Sequence, residues 1–376
     1  MEIESFKNPI YKCNRCGFCF DLSGLGQYKM CPVNEVKGFQ SYSAKGKLIL
    51  ATLILEGKIQ LNEEALKHVF TCCDCGACEQ NCFLSLELGS IFDALKRDLV
   101  AKRLVLKEHA SMLDNAQRFG NIFGTSEKKR HTDFSPKAET LYFMGCTTSL
   151  VRKRIARATC EALKQCGLDF TVLRNEKCCG FPLLSVGQTG PARELAQNAV
   201  KQIEETGAKR VVFSCPGCYR MYKKEYPKLV KQLPFETIHT TELFQELVDE
   251  EKLRFKRKLP FRITYHDPCH LGRHMGVYEP PRRTLAQIPS LTVLEMTRNK
   301  QYAYCCGAGG GNLPQAFPEI SACIAINRMK EAEETGARML VSSCPACSSN
   351  LMLAKSRSKS NLEIKDIAEV IVEALK

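Results

Sequence analysis

Apolar residues between Lys45 and Phe70 recur at three- and four-residue spacing, which predicts helix, and Asn62 followed by Glu63 and Glu64 reads as a helix start within that stretch. Residues 86–118 carry the same period, so the first 120 residues predict an all-α unit. The periodicity lapses in GNIFGTSEKKRHTDFSPKA, residues 120–138, a Gly-, Ser- and Lys-rich stretch that reads as a linker over 121–138. Beyond it, short β-branched runs alternate with helical stretches. LYFMG, FTVLR and RVVFS predict three strands, and RITYH, LTVLE and MLVSS predict three more. Pro191–Glu205 and Pro318–Glu334 predict helices closed by Gly207 and Gly336. Strands alternating with helices predict parallel α/β units.

This second region is duplicated. ETGAKRVVFSCPGCYRM, Glu205–Met221, matches ETGARMLVSSCPACSSN, Glu334–Asn350, at an offset of 129 positions. Each copy holds five cysteines in one order: a single cysteine, an adjacent pair, then C-x2-C. The first gaps hold 31 and 35 residues, from Cys146 to Cys178 and from Cys179 to Cys215; the second hold 35 and 37, from Cys269 to Cys305 and from Cys306 to Cys344. The copies are placed at 139–258 and 259–376. Most of these cysteines follow a predicted strand. The carboxyl ends of strands form the binding crevice of an open α/β sheet, so the thiols of one copy can converge.

The N-terminal unit carries two further runs. Cys13, Cys16 and Cys19 form C-x2-C-x2-C and are followed by Cys31; Cys72, Cys75 and Cys78 form a second run, closed by Cys82. Such a pair is the signature of a two-cluster ferredoxin, in which the fourth cysteine of each run reaches the other cluster. The expected sets are therefore Cys13, Cys16, Cys19 and Cys82 on one cubane [4Fe-4S] cluster, and Cys72, Cys75, Cys78 and Cys31 on the other. Two departures stand out: eleven residues separate Cys19 from Cys31, and Phe83 rather than proline follows Cys82. Structural zinc sites are the competing reading, but zinc ligands usually come as separated pairs.

Composition narrows the compartment. The chain has 376 residues and 22 cysteines, with no apolar h-region at its start. Leu48–Leu55, interrupted only by Thr52, is too short to span a bilayer. A cytoplasmic, metal-binding protein is expected rather than a disulfide-linked secreted one. The net charge of +13 invites a nucleic-acid partner. Four anionic clusters would reduce it to roughly +5, and the basic runs lack interleaved aromatics, so no nucleic acid is expected.

The doubled cysteine pattern, with both motifs complete, resembles the CCG-domain iron–sulfur family. Its members include iron–sulfur subunits of heterodisulfide reductase, of glycolate and lactate oxidases, and of anaerobic glycerol-3-phosphate dehydrogenase. The ferredoxin unit ahead of two repeats is most similar to the fused D-type subunit of heterodisulfide reductase. The resemblance implies a non-cubane [4Fe-4S] cluster on Cys146, Cys178, Cys179, Cys215 and Cys218, and another on Cys269, Cys305, Cys306, Cys344 and Cys347. It also implies a shared cavity where a small-molecule disulfide is reduced, or thiols are oxidised. An electron-relay subunit serving a flavin-dependent 2-hydroxy-acid or glycerol-3-phosphate dehydrogenase is the alternative. A zinc-containing nucleic-acid-binding protein is the third. With no NAD or FAD fingerprint on the chain, a flavoprotein or membrane cytochrome partner is expected, holding the chain peripherally on the inner face of the membrane.

Residues beside the ligands add expectations. His266 and His270, in YHDPCHLGRH, are candidate proton donors or loop-fixing residues, and His274 reads more strongly as the latter. Lys177 faces either an anionic cluster or solvent. Gly307, Gly309, Gly310 and Gly311 allow a backbone loop to offer N–H groups to sulfur. Cys160, Cys166 and Cys323 read as core residues, and Cys73 as a ligand's neighbour or substitute.

Overall fold

The computed structural model describes residues 1–24, 26–125 and 137–375. Most of the expected linker lies outside these residues, as does the Lys128-Lys129-Arg130 run. Among the described residues, the N-terminal unit is helical, with one isolated antiparallel bridge between Asp21 and Lys29. The Lys45–Phe70 stretch is two helices. Ala44–Leu55 is capped by Ser43, and Glu63–Phe70 is capped by Asn62, whose Oδ1 accepts from Ala65 N at 2.9 Å. Leu88–Ala101 and Lys107–Phe119 follow. The last of these leaves the N-terminal core: its Met112 and Ala116 pack with Ile122 into the core of the first repeat.

Each repeat is a four-stranded parallel sheet. In the first, β1 (Thr140–Phe143), β2 (Phe170–Thr171), β3 (Arg210–Phe213) and β4 (Glu236–His239) lie in the order β2-β1-β3-β4. In the second, β5 (Arg262–His266), β6 (Thr292–Leu294), β7 (Met339–Ser342) and β8 (Glu363–Asp366) repeat that order as β6-β5-β7-β8. The six expected strands are present, although FTVLR contributes only two residues. The edge strands β4 and β8 were not expected. Their half-exposed ETIH and EIKD sequences carry too few apolar residues to announce a strand.

The repeats share one core. Tyr142 and Val212 of the first and Ile263, Tyr265 and Val341 of the second belong to a single buried cluster. The closing helix of the second repeat, Ile367–Leu375, packs on Lys153–Gln165 of the first, and Thr240–Asp249 of the first packs on Glu279–Ala286 of the second. Equivalent tyrosines make equivalent bonds: Tyr142 to Ser214 at 2.9 Å, and Tyr265 to Ser343 at 3.0 Å. The N-terminal unit docks on the second repeat through Asn312. Its Nδ2 donates to Phe70 O at 2.7 Å, and its Oδ1 lies 2.7 Å from Nε2 of His109.

Candidate metal centres and the cavity between the repeats

The local fold explains why the cysteines gather. Cys146, Cys215, Cys269 and Cys344 each lie within three residues of a strand's carboxyl end. Cys215 and Cys344 precede helices that begin at Pro216 and Pro345, so each C-x2-C occupies a first helical turn. The free N–H groups of such a turn favour negative charge on sulfur. Glu176 fixes the Cys146 loop, its buried carboxylate accepting from Met144 N at 2.9 Å and Gly145 N at 2.8 Å.

Within the first repeat, sulfur contacts link Cys146 to Cys178, Cys178 to Cys179, Cys179 to Cys218, and Cys218 to Cys215. The second repeat reproduces this order through Cys269, Cys305, Cys306, Cys347 and Cys344, with the Sγ atoms of Cys306 and Cys347 3.1 Å apart. Bonds from Cys178 and Cys218 hold the Cys179 thiol down at about 6, and bonds from Cys305 and Cys347 do the same for Cys306. Bonds to Cys178 and Cys305 respectively, and then burial, push Cys146 and Cys269 well above their ordinary value. Five crowded thiols cannot all ionise without a cationic core, and five exceed the four ligands of structural zinc. The donor sets therefore fit iron–sulfur chemistry.

Both quintets open on one cavity of about 280 Å³. Nine of the ten cysteines line it; Cys178, in sulfur contact with Cys146 and Cys179, does not. Phe123, Val151 and Leu353 are the exposed apolar residues of its lining. Among the described residues, no Lys, Arg, Asp or Glu lines the walls. Gly309, Gly310 and Gly311, all at positive φ, bring bare backbone to the wall, and Gly307 N donates to Cys305 Sγ at 3.3 Å.

The N-terminal cysteines line two smaller cavities. One is bounded by Cys13, Cys16, Cys19 and Cys82, the other by Cys31, Cys72, Cys75 and Cys78. The first lies near the surface, where Cys16 is exposed beside Phe83, itself 72% exposed. The second adjoins the second repeat, and the sulfurs of Cys73 and Cys75 both contact Cys305. Arg273 tightens this junction by donating to Cys75 O at 2.6 Å and Ala303 O at 2.6 Å.

The histidines separate by position. His270 lines the cavity, its Nδ1 3.1 Å from Arg220 Nη1 and its Nε2 buried without a partner among the described residues. His266 ends β5 outside the cavity lining and bonds Arg328. His274 stacks on His270 and donates from Nε2 to Asp74 O at 3.0 Å, fixing the Cys72–Cys78 loop. Lys177 is exposed, with its stem beside Gly120. Cys160 is buried and Cys166 packs against the shared core, but Cys323 is exposed on helix Pro318–Glu334, contrary to expectation. The three-residue spacing of that helix's apolar stripe leaves Cys323 one position off the buried face. Sequence reasoning also passed over Arg220, which lies 3.7 Å from Asp74 and so joins the first repeat to the N-terminal loop and to His270.

Comparison with known proteins now defines the class. A cysteine-rich CCG domain matches residues 140–223 and 263–352, and a 4Fe-4S dicluster domain matches 9–86. The fold and cysteine sites are those of a CCG-domain iron–sulfur protein. The chain is 34% identical to the D-type subunit of dihydromethanophenazine:CoB–CoM heterodisulfide reductase from Methanosarcina acetivorans, covering 96% of this chain and 93% of that one. It belongs to the family of D-type heterodisulfide reductase subunits and is an iron–sulfur redox subunit. The EtfAB:quinone oxidoreductase of Syntrophomonas wolfei is 27% identical, over 96% of this chain and 58% of that one. A hypothetical protein from Helicobacter pylori shares the fold, with a TM-score of 0.54 and 11% identity over 77% of this chain and 58% of that one. Among the described residues, no helix is long and apolar enough to cross a membrane.

Proposed function

We propose that this chain carries electrons from two ferredoxin-type [4Fe-4S] cubanes to a pair of non-cubane [4Fe-4S] clusters that reduce a small-molecule disulfide, or oxidise thiols in reverse. In this reading residues 1–120 hold the cubanes, on Cys13, Cys16, Cys19 and Cys82 and on Cys72, Cys75, Cys78 and Cys31. Residues 139–258 and 259–376 each hold one non-cubane cluster on five cysteines. The observation that carries it is the single cavity on which both quintets open. Two adjacent one-electron centres supply what disulfide cleavage into two thiolates requires.

The chain's own residues set the conditions. Apolar walls exclude water from the reacting sulfurs. Arg220 occupies Nδ1 of His270, a residue of the cavity lining, which leaves the ring proton on the buried and otherwise unpartnered Nε2 among the described residues. His270 thus acts as a hydrogen-bond donor to product thiolate. The exposed surface around Cys16 and Phe83 is where a flavoprotein or membrane cytochrome partner delivers electrons, holding a cytoplasmic chain at the inner face of the membrane. The Methanosarcina relatives, named for a heterodisulfide, support a disulfide as substrate class.

Anaerobically purified protein should carry about sixteen irons. Small disulfides should accelerate reoxidation of the reduced protein. Reoxidation no faster than in buffer would favour the relay reading, which the EtfAB:quinone oxidoreductase relative supports. Replacing Cys305 and Cys306 with serine should abolish one non-cubane signal and the disulfide-dependent rate while sparing the cubane signals.

A further inference from the structure

The repeats differ at one buried pair beside the cysteines. The pairing of β1 with β3 and of β5 with β7 aligns Phe143 with His266, and the 129-position offset aligns Ala199 with Arg328. In the first repeat the pair is apolar, with Phe143 packed against Phe213 and Tyr222. In the second, fully buried Arg328 donates from Nε to Nδ1 of His266 at 3.0 Å. A guanidinium has no acceptor, so Nδ1 is bare and the ring proton sits on Nε2. Nε2 is buried and without a partner among the described residues. A ring nitrogen of His266 and the Sγ atoms of Cys306 and Cys347 lie within 4.8 Å of one another. With Nδ1 engaged by Arg328, Nε2 is the nitrogen free to meet sulfur.

We propose that His266 donates a hydrogen bond from Nε2 to the sulfur of the second repeat's iron–sulfur centre and so raises that centre's potential, a donor for which the aligned Phe143 of the first repeat has no counterpart. The proposal rests on the reading that both quintets hold clusters. Reduction adds one electron and one negative charge at that centre, and no proton moves. A donor N–H favours the more negative state and raises the potential. Arg328 is itself paired with Glu331, so the N–H group rather than net charge is the agent. The placement matches the wiring, because the N-terminal cysteines Cys73 and Cys75 contact Cys305 of this same repeat. Arg328 is a positioning residue: it fixes the tautomer.

The test is an EPR-monitored redox titration of the anaerobic full-length protein, with the Cys305→Ser/Cys306→Ser variant assigning the second repeat's signal. The His266→Phe/Arg328→Ala variant recreates the first repeat's pair. It should lower that one midpoint by at least about a tenfold change in the reduced-to-oxidised ratio, about 59 mV for one electron, leaving the other centres in place. His266→Gln, which keeps an N–H donor and an acceptor for Arg328, should stay near the wild type. An unmoved midpoint in a variant with full iron would overturn the proposal. If the double variant loses iron, wild-type protein labelled with 15N-histidine decides. Pulsed EPR should find a coupled histidine nitrogen at the reduced second centre that is absent in His266→Gln, and its absence from the wild type overturns the assignment. Wild-type protein without iron in the second repeat would instead sink the four-centre reading, and this proposal with it.

Discussion

Burial holds the imidazoles of His239, His266 and His274 down at about 3. In the unfolded chain they titrate near about 6.5. Between those values the unfolded state binds more protons, so this contribution to stability is complete above about pH 6.5 and is lost as pH falls, by up to about 1.4 kcal/mol per unit for each histidine. His239 lies outside the metal sites and is the clean probe. Urea denaturation at pH 7.5 and 5.5 should show a smaller pH dependence in His239→Gln, and an unchanged dependence would contradict this. Glu176→Ala should strip two buried N–H groups of their acceptor, cost about 1–3 kcal/mol, and lower the iron content by the share of one centre. Residues of this kind differ in legibility. The cysteines stand out because their chemistry demands one residue type at fixed spacing. Arg328 does not, because its partner His266 lies 62 positions away and only the folded sheet brings them together.

At the scale of elements, periodicity reported the helices, and their breaks came from residues that period cannot weigh. Gly57, at φ +70°, lies just past the end of Ala44–Leu55, and the start marked by Asn62 opens the second helix, Glu63–Phe70. The central strands were legible from their β-branched runs. The edge strands β4 and β8 were not, because one solvated side leaves them half polar. The convergence of Cys178–Cys179 on Cys146 and Cys218 follows from topology rather than from any local signal. The glycine loop offers a direct test. A Cβ on Gly310 would meet Phe181 Cε1 at 3.0 Å, at a φ of +66° that disfavours side chains. Gly310→Ala should cost about 1–2 kcal/mol from the backbone alone, measurable as a lower melting temperature, and should narrow the cavity that Phe181 helps to wall.

For the whole molecule, the shared core matters more than the repeat count. Helix Ile367–Leu375 completes the apolar surface around Lys153–Gln165, so the first repeat cannot bury its own face. In a chain ending at residue 258, amide hydrogen exchange should find β1 and β3 unprotected, and full protection there would refute the interdependence. The duplication, the order of units and the cysteine sets were readable in the sequence. The common core was not, because amphipathic helices do not say which sheet they will cover. That core also has a consequence for entry. Two halves welded along their inner helices hold both cysteine quintets in one body, so in the proposed reading a reactant meets the two together without either half having to swing over it.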